Sequence, residues 1–314
     1  MKSYLVVGDL QMKKENLQKC ENLFQLVEKE SQAKKLNNVI WLGDMLDRRG
    51  LVEIECLNTL FNYFNNSSLT HHVLVGNHDL ISLHDKKHSL ETLKTLKNVH
   101  IYDEITRVDN ILFVPYYRDP NRFLQETQSD ADILVCHQGI KEFTIGSGYT
   151  ENEAVSIEDL SNFKLVLAGH YHTPKNMKNV VYLGSPFSHS FGESNEEKRL
   201  GVLNPESIEV DFISINKFPK HISMEITSKS SAPKIDSYNH WRIIFNGSEK
   251  EINDFKNNLV KKANVKYIFR ETNKSRNLVI KETLTNKEKW IKWSKEIKNL
   301  DDKIIDKGLE LLSQ

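Results

Sequence analysis

Residues 39–50 have the sequence VIWLGDMLDRRG, in which four large apolar residues lead into a turn with two aspartates and two arginines. Apolar runs of this length, rich in β-branched side chains, are typical of buried strands in an α/β fold. Polar residues follow four other apolar runs in the same way, at 4–7, 73–75, 133–135 and 165–168. The pattern predicts an α/β fold whose sheet carries polar side chains at the strand ends.

The polar residues after these strands are ones that bind divalent metal ions. Side chains at the carboxyl ends of neighbouring strands converge on one crevice, so residues distant in sequence can meet there. Carboxylate, amide and imidazole groups suit Mn²⁺, Fe or Zn, and none of the clusters offers a thiolate-rich cage. The sequence therefore predicts a metal-dependent hydrolase. The clusters that carry these groups are residues 8–11, 43–50, 76–79, 136–137 and 169–172.

The order of the clusters resembles one family. A single Gly-Asp after a strand is ordinary turn chemistry, but five clusters in this order are hard to obtain by accident. They resemble the calcineurin-like metallophosphoesterases, and the resemblance implies two packed mixed β-sheets flanked by helices. Within that family the chain is similar to SbcD-type DNA nuclease subunits. The similarity lies in residues 169–174 (GHYHTP), in residues 180–193 (VVYLGSPFSHSFGE) and in about a hundred added C-terminal residues.

The resemblance assigns ligands to two ions. Asp44 would bridge both, because a carboxylate offers two anionic oxygens. The expected ions are Mn²⁺, with Mg²⁺ or Fe as alternatives. The first ion would take Asp9, Gln11 and His172, and the second would take Asn77, His137 and His170. Two such ions activate a water and clamp the phosphate oxygens in an in-line displacement.

Three further residues receive roles near the ions. His78 resembles the histidine that steadies the phosphoryl group and helps protonate the leaving oxygen, with Asp79 as its orienting partner. Arg48 is a candidate phosphate ligand, because the arginine fork matches phosphate geometry. The alternative is that an arginine of this segment pairs with Asp47 as a structural ion pair.

The chain is expected to have three parts: a nuclease domain at 1–213, a basic DNA-capping domain at 214–280 and C-terminal helices at 281–314. Strands are predicted at 207–213, 238–245 and 266–269, with a helix at 249–262. Residues 215–314 contain 21 Lys and Arg against 13 Asp and Glu, whereas the whole chain is neutral. A basic appendage fits binding to a polyanion such as DNA. The alternative is a solvated lysine-rich surface.

The last thirty residues predict two amphipathic helices, the second starting at Asp301 or Asp302. Trp290, Trp293 and Ile297 lie at helical spacing on one apolar stripe. In the resembled nucleases this region packs on the coiled coil of an SbcC-type ABC ATPase, so these residues are candidate partner contacts. The alternative is that the stripe folds back on its own chain. DNA, the ATPase and a second copy of the chain are the expected partners.

The composition indicates an intracellular protein, in the host cytoplasm if a phage encodes it. Three cysteines without paired spacing, Cys20, Cys56 and Cys136, indicate a reducing compartment. A strand is predicted from residue 4, which leaves no space for a signal peptide, and no apolar run approaches membrane-spanning length.

Three functions compete. The resemblance favours a DNA nuclease subunit with 3′–5′ exonuclease activity on duplex ends and endonuclease activity on single strands, acting in recombination, repair or replication. A stand-alone phosphatase on phosphoprotein or a small phosphomonoester is favoured only by the segment at 47–49. A non-catalytic DNA-binding scaffold is favoured by Gln11, because the family usually has histidine at that position.

Gln11 predicts a weak first metal site. An amide oxygen is neutral and a poorer donor than imidazole, so the first ion should bind more weakly than the second. Metal titration of the purified protein should show two unequal affinities, and Gln11→His should tighten the weaker one. Two equally tight sites in the wild type, or an unchanged weak site in the variant, would leave Gln11 as no more than a residue that caps the following helix.

Overall fold

The computed structural model describes residues 3–83, 86–143, 154–231, 233–259, 262–272, 290–291, 294 and 301–311. The chain divides into two compact units. The first comprises Met1–Glu225, Ser231–Ile244 and Lys261–Ile268, and the second comprises Ile226–Ser230, Phe245–Val260 and Phe269–Gln314. Within the described ranges, no helix is long and apolar enough to cross a membrane.

The described strands and α-helices follow one another along the chain in mixed order. The strands are β1 (Tyr4–Val7), β2 (Asn38–Trp41), β3 (Thr70–Leu74), β4 (Val99–Tyr102), β5 (Thr106–Val108), β6 (Ile111–Val114), β7 (Ile133–His137), β8 (Leu165–Gly169), β9 (Lys175–Met177), β10 (Val180–Tyr182), β11 (Lys198–Asn204), β12 (Glu209–Ile215), β13 (His221–Ile226), β14 (His240–Gly247) and β15 (Val265–Glu271). The helices are α1 (Leu17–Lys34), α2 (Ile54–Asn66), α3 (Pro120–Glu126), α4 (Glu249–Asn257) and α5 (Asp302–Leu311).

Two six-stranded mixed sheets form the first unit. The order in one is β12-β11-β1-β2-β3-β4, and in the other β5-β6-β7-β8-β10-β9. Strands β1 to β4 are parallel, and β11 closes their edge in antiparallel register. Strands β6, β7, β8 and β10 are parallel to one another, and β5 and β9 pair with the two outer strands of this group in antiparallel register. The predicted pair of mixed sheets is confirmed, and all five apolar runs that predicted strands lie in or overlap one.

Alternation along the strands separates two faces of each sheet. In β1, Tyr4 and Val6 pack in the core between the sheets, whereas Leu5 and Val7 pack in the core under the helices. All four are buried, so the strand has no polar face. This is why the sequence shows a continuous apolar run in place of an apolar–polar alternation.

Helices α1 and α2 cover the outer face of the first sheet. Each has an apolar stripe at spacings of three and four residues. The stripes are Cys20, Leu23, Phe24 and Val27 in α1, and Cys56, Leu60 and Phe64 in α2. The outer face of the second sheet packs against the Phe123 side chain of α3 and against several loops. Both sheets are therefore flanked on the outside, as predicted.

A third sheet of three strands, in the order β13-β14-β15, lies in the C-terminal part of the chain. The predicted strands at 238–245 and 266–269 correspond to β14 and β15, and the one at 207–213 corresponds to β12 shifted by two residues. Strand β13 was not predicted, although its sequence, HISMEI, alternates polar and apolar residues as a half-buried strand does. The helix predicted at 249–262 is α4, which begins on a Ser248–Glu251 capping box and ends earlier, at Asn257.

Helix α5 begins at Asp302, in agreement with the sequence. The indole Nε1 of Trp290 donates to the carbonyl of Ile305 in this helix, at 3.0 Å. A Cβ on Gly308 would lie 2.3 Å from the same indole ring, so the missing side chain makes room for it. Trp290 is therefore used within its own chain. Trp293 and Ile297 lie outside the described residues.

A buried histidine belongs to the core beneath α2. The Nε1–H of Trp41 donates to His71 Nδ1 at 3.2 Å, which leaves His71 Nε2 to donate to Ser67 Oγ at 2.9 Å. The ring is thus held neutral by two partners. Burial, with a smaller contribution from His72, lowers the pKa of His71 to about 3.

The free energy of unfolding should therefore fall as the solution is acidified. Below a pH of about 6.5 the unfolded chain binds a proton at His71 and the folded chain does not, which costs about 2 kcal/mol by pH 5. Urea unfolding of metal-free wild type and His71→Gln should show a stability difference that shrinks by this amount between pH 7.5 and pH 5. A difference that is equal at the two pH values would contradict a neutral buried His71.

Candidate metal centre

Two buried carboxylates lie at the ends of adjacent parallel strands. Asp9 follows β1, Asp44 follows β2, and both are essentially inaccessible to solvent. A ligand atom from each lies within 4.8 Å of the other and of a ring nitrogen of His137, which ends β7 in the second sheet. The carboxyl edges of both sheets therefore contribute to one centre.

Asn77 and two histidines form the second part of the centre. The Oδ1 atom of Asn77 lies 2.9 Å from His137 Nε2 and 2.9 Å from His170 Nδ1. Asp44 Oδ1 is 3.5 Å from the same His137 nitrogen. These four residues come from the ends of β2, β3, β7 and β8. They are the residues expected to bind the second ion.

The atoms that face one another here require a positive charge between them. The Nδ1–H of His137 donates to the Leu42 carbonyl at 2.7 Å, so the neutral ring presents a lone pair at Nε2. That lone pair faces the oxygens of Asn77 and Asp44, which are also acceptors. Burial would lower the pKa of His137, but the Asp44 and Asp9 carboxylates and the Leu42 carbonyl together outweigh burial and raise the pKa to about 9. Either a proton or a metal ion can satisfy the cluster.

An unpaired oxygen indicates where the first ion would fit. Asp9 Oδ2 accepts from the main-chain N–H of His170 at 2.9 Å, but Asp9 Oδ1 is buried without a hydrogen-bond partner. A buried carboxylate oxygen without a partner is costly, and a bound cation removes that cost. Burial, together with the neighbouring Asp44, raises the pKa of Asp9. The donor set thus fits a divalent metal ion.

His172 reaches the centre from a buried ionic network. Its Nδ1 lies 3.1 Å from Glu193 Oε1, and its Nε2 lies 4.0 Å from Asp9 Oδ2. Lys198 donates to Glu193 Oε2 at 2.6 Å and to the His172 carbonyl at 2.8 Å. Burial would raise the pKa of Glu193, but His172 and Lys198 outweigh it and hold that pKa below its usual range. Glu193 therefore fixes the ring with Nε2 directed to the metal side.

Gln11 lies beside the carboxylate expected to bridge the ions. Its Nε2 donates to Asp44 Oδ2 at 3.5 Å, and its main-chain N–H donates to the Asp44 carbonyl at 2.8 Å. The residue at the N-cap of α1 is Asn16, so the side chain of Gln11 is not the cap of that helix. Gln11 is thus placed with the candidate ligands.

His78 is oriented by a different group from the one predicted. Its Nδ1 lies 2.5 Å from the carbonyl oxygen of Asp47, to which it donates. Both carboxylate oxygens of Asp79 accept from main-chain N–H groups instead, those of Leu46 and Gly76. The main chain of Asp47 therefore replaces Asp79 as the partner of His78, and Asp79 holds together the two loops that carry the centre.

The arginines after Asp44 are exposed, and Asp47 pairs with another residue. Lys13 Nζ lies 3.0 Å from Asp47 Oδ1, so the structural ion pair expected for Asp47 is made with this lysine and not with an arginine. Arg49 Nε donates to the main-chain carbonyl of Asn77 at 2.8 Å, which ties the two loops. Arg48 is exposed on the same loop, at the edge of the centre.

Unusual backbone conformations bring the ligands together. Gln11, Asp44 and His170 have φ angles of 44°, 51° and 104°, in a region that residues other than glycine seldom adopt. A Cβ on Gly76 would lie 2.2 Å from Asp44 Oδ1. Such strain persists only where the surrounding structure enforces it, and it is concentrated at functional sites.

The two mixed sheets and this donor set at their carboxyl edges define a metal-dependent phosphoesterase. A sequence profile described as calcineurin-like phosphoesterase matches residues 2–174, more than half of the chain. The chain therefore belongs to the calcineurin-like phosphoesterase family.

Three viral proteins are similar in sequence. Exonuclease subunit 1 of Enterobacteria phage T4 is 27% identical over 198 residues, which cover 59% of this chain and 58% of the phage protein. The match thus spans less than two thirds of that relative. "Putative phosphoesterase 078R" of Invertebrate iridescent virus 3 is 28% identical over 83% of this chain and 80% of its own length. "Putative phosphoesterase 244L" of Invertebrate iridescent virus 6 is 29% identical over 69% of this chain and 84% of its own.

Several residues of the centre were not predicted as functional. Glu193 and Lys198 lie 21 and 26 residues beyond His172, and their pairing gives no signal in a single sequence. Tyr116, whose ring stacks on His170 with centroids 6.0 Å apart, lies in the segment 115–119 (PYYRD) directly after the apolar strand β6. The strand-end pattern that indicated the other clusters was therefore available here.

Glu193→Gln should weaken binding of the first metal ion. Loss of the charged partner of His172 leaves its ring less basic and less firmly oriented, and such changes typically cost about 10- to 100-fold in metal affinity. Calorimetric titration with Mn²⁺ measures the effect. Glu196→Gln is the matched control, because Glu196 also binds Lys198 but does not contact His172. Equal losses in the two variants would show that only the buried lysine matters.

Proposed function

We propose that this protein is a metal-dependent DNA phosphodiesterase, the nuclease subunit of an SbcC–SbcD-type complex that acts in recombination, repair or replication. The observation that carries the proposal is the convergence of four candidate ligands: Asn77 Oδ1 lies 2.9 Å from a ring nitrogen of each of His137 and His170, and Asp44 Oδ1 lies 3.5 Å from His137 Nε2. Similarity to a phage exonuclease subunit supports DNA as the substrate. The proposed activities are a 3′–5′ exonuclease on duplex ends and an endonuclease on single strands.

Two divalent ions would be held by the clustered donors, with Mn²⁺ expected and Mg²⁺ or Fe as alternatives. Bound there, the pair would lower the pKa of an attacking water and neutralise the phosphate oxygens during in-line displacement. Asp44 would bridge the two sites. The first would be completed by Asp9, Gln11 and His172, and the second by Asn77, His137 and His170.

His78 would supply the proton for the leaving oxygen. Its Nδ1–H is fixed on the Asp47 carbonyl, so Nε2 is the atom that can exchange a proton with the substrate. Its main-chain N–H donates to Asp44 Oδ1 at 2.8 Å, which places the residue directly beside the centre. Asp79 would act through the loops that it ties together. The exposed guanidinium of Arg48 would bind a flanking phosphate.

Each of the three parts of the chain would have a separate role. Residues 1–213 would carry the nuclease, and the basic residues 214–280 would cover bound DNA. Residues 281–314 would dock on the ATPase, with Trp293 and Ile297 as predicted contacts. Trp290, the third predicted contact, already packs on α5 within its own chain, which supports the fold-back alternative for that residue. A DNA substrate implies work inside the cell, in the host cytoplasm if a phage encodes the chain.

The proposal is tested with end-labelled duplex DNA and Mn²⁺. Wild-type protein should degrade the DNA, and His78→Ala should lower the rate by about 10²- to 10⁴-fold, the usual contribution of a general acid. His100→Ala is the matched control, because His100 is exposed on β4 and should leave the rate unchanged. Chelation of the metal should abolish cleavage in all three proteins.

Other outcomes would favour the competing functions. Turnover of a small phosphomonoester without cleavage of DNA would indicate a phosphatase. Binding of DNA without activity on either substrate would indicate a structural subunit. Recovery of activity in Gln11→His would then show that the glutamine causes the inactivity.

A further inference from the structure

A cavity of about 650 Å³ lies beside the metal centre. This volume is within the range of small-molecule sites in proteins, about 300–1,000 Å³. Its walls are aromatic, apolar and basic. The lining residues are Val75, Leu80, Leu83, Lys86, Asp103, Pro115, Tyr116, Tyr117, Arg118, Asp119, Pro120 and Arg122.

Tyr116 is the wall that separates this cavity from the metal ligands. Its ring lies 6.0 Å from the ring of His170 at an angle of 25°, and 6.2 Å from that of His137. Its main-chain N–H donates to the carbonyl of Val75 at 3.0 Å, which fixes it at the end of β3. A group bound in the cavity is therefore one side chain away from the phosphate that the centre would attack.

Both carboxylates of the cavity accept hydrogen bonds, and Asp103 is also paired with a cation. Asp103 accepts from Lys94 at 2.7 Å and lies 3.1 Å from His88. Asp119 caps α3 by accepting from the N–H of Asn121 at 2.9 Å.

Three exposed cations lie around the same walls: Lys86, Arg118 and Arg122. Of these, Arg122 is 3.8 Å from Glu126, an exposed pair that contributes little. The lining therefore carries three cationic side chains against two carboxylates.

Next to Tyr116, the side chains of Tyr117 and Arg122 form a surface on which a nucleobase could stack. The guanidinium of Arg122 lies 5.3 Å from the ring centroid of half-buried Tyr117. Tyrosine rings and arginine planes are the surfaces on which proteins stack unpaired bases, without dependence on base identity. An aromatic layer, nearby cations and a phosphoesterase centre together match one nucleotide of a single strand.

We propose that this cavity binds the unpaired terminal nucleotide of a DNA strand, with its base against Tyr117 and Arg122 and its 5′ phosphate at the metal centre. The inference rests on the proposed DNA phosphodiesterase function and specifies its substrate. A base in a duplex is stacked and paired, so it reaches this cavity only after the end has opened. The enzyme would therefore prefer single-stranded or frayed ends to blunt paired ends.

The test combines a variant with an altered substrate. Full-length wild type, Tyr117→Leu and the conservative Tyr117→Phe are compared with Mn²⁺ on single-stranded oligonucleotides that end in a normal or an abasic nucleotide. Wild type should lose about tenfold in kcat/KM, mostly in KM, when the terminal base is missing. Tyr117→Leu should lose as much on the normal substrate and little more on the abasic one, and Tyr117→Phe should behave as wild type.

A spectroscopic signal provides a readout besides cleavage. An oligonucleotide with a terminal 2-aminopurine is bound to each protein in the presence of EDTA, which prevents cleavage. Stacking should quench the 2-aminopurine fluorescence in wild type and Tyr117→Phe and not in Tyr117→Leu. Equal cleavage of normal and abasic ends by wild type, or equal losses in the Leu and Phe variants, would overturn the inference while leaving the nuclease intact. Phosphomonoester turnover without cleavage of any DNA would overturn both proposals.

Discussion

The arrangement of the rest of the site depends on two carboxylates, Asp9 and Asp44, that are buried side by side. Each would lose its hydration in the folded protein, and their mutual repulsion adds to that cost. The surrounding groups compensate in part: main-chain N–H groups of His170 and His78 each donate to one of the carboxylates. The compensation is incomplete, because one Asp9 oxygen stays without a partner. A bound divalent cation completes it, so the energetics of the fold and the chemistry of the family require the same ion.

The two halves of the centre are supported by different means. His137 is held by the main chain, through the Leu42 carbonyl, and so its orientation depends on the strand itself. His172 is held by Glu193, whose charge is balanced by the buried Lys198. A charged support makes an imidazole a stronger donor. Gln11, which lies beside Asp44, is thus on the side of the centre whose histidine has an ionic support.

Three residues of the centre have strained backbone conformations shortly after a strand ends. The apolar cores on both faces of each sheet fix the strands, and the positive φ angles of Gln11, Asp44 and His170 occur four, three and one residues after β1, β2 and β8. The packing of the strands therefore offsets the cost of the unfavourable turn conformations. The same rigidity places Tyr116 between the ligands and the neighbouring cavity, because its main chain is tied to the end of β3. The centre and the cavity are consequently parts of one framework.

The sequence by itself determined five of the strands and the polar clusters at their ends. Continuous apolar runs are a local signal of buried strands, and polar residues directly after them lie at the strand ends by chain connectivity alone. The sequence did not by itself determine how the strands are arranged in two sheets, the partner of His78 or the length of α4. Only the tertiary structure decided that Asp47 and not Asp79 orients His78, that Glu193 and Lys198 support His172, and that Tyr116 joins the centre to a cavity. These contacts join residues far apart in the chain, and their geometry depends on how loops pack, which no local pattern encodes.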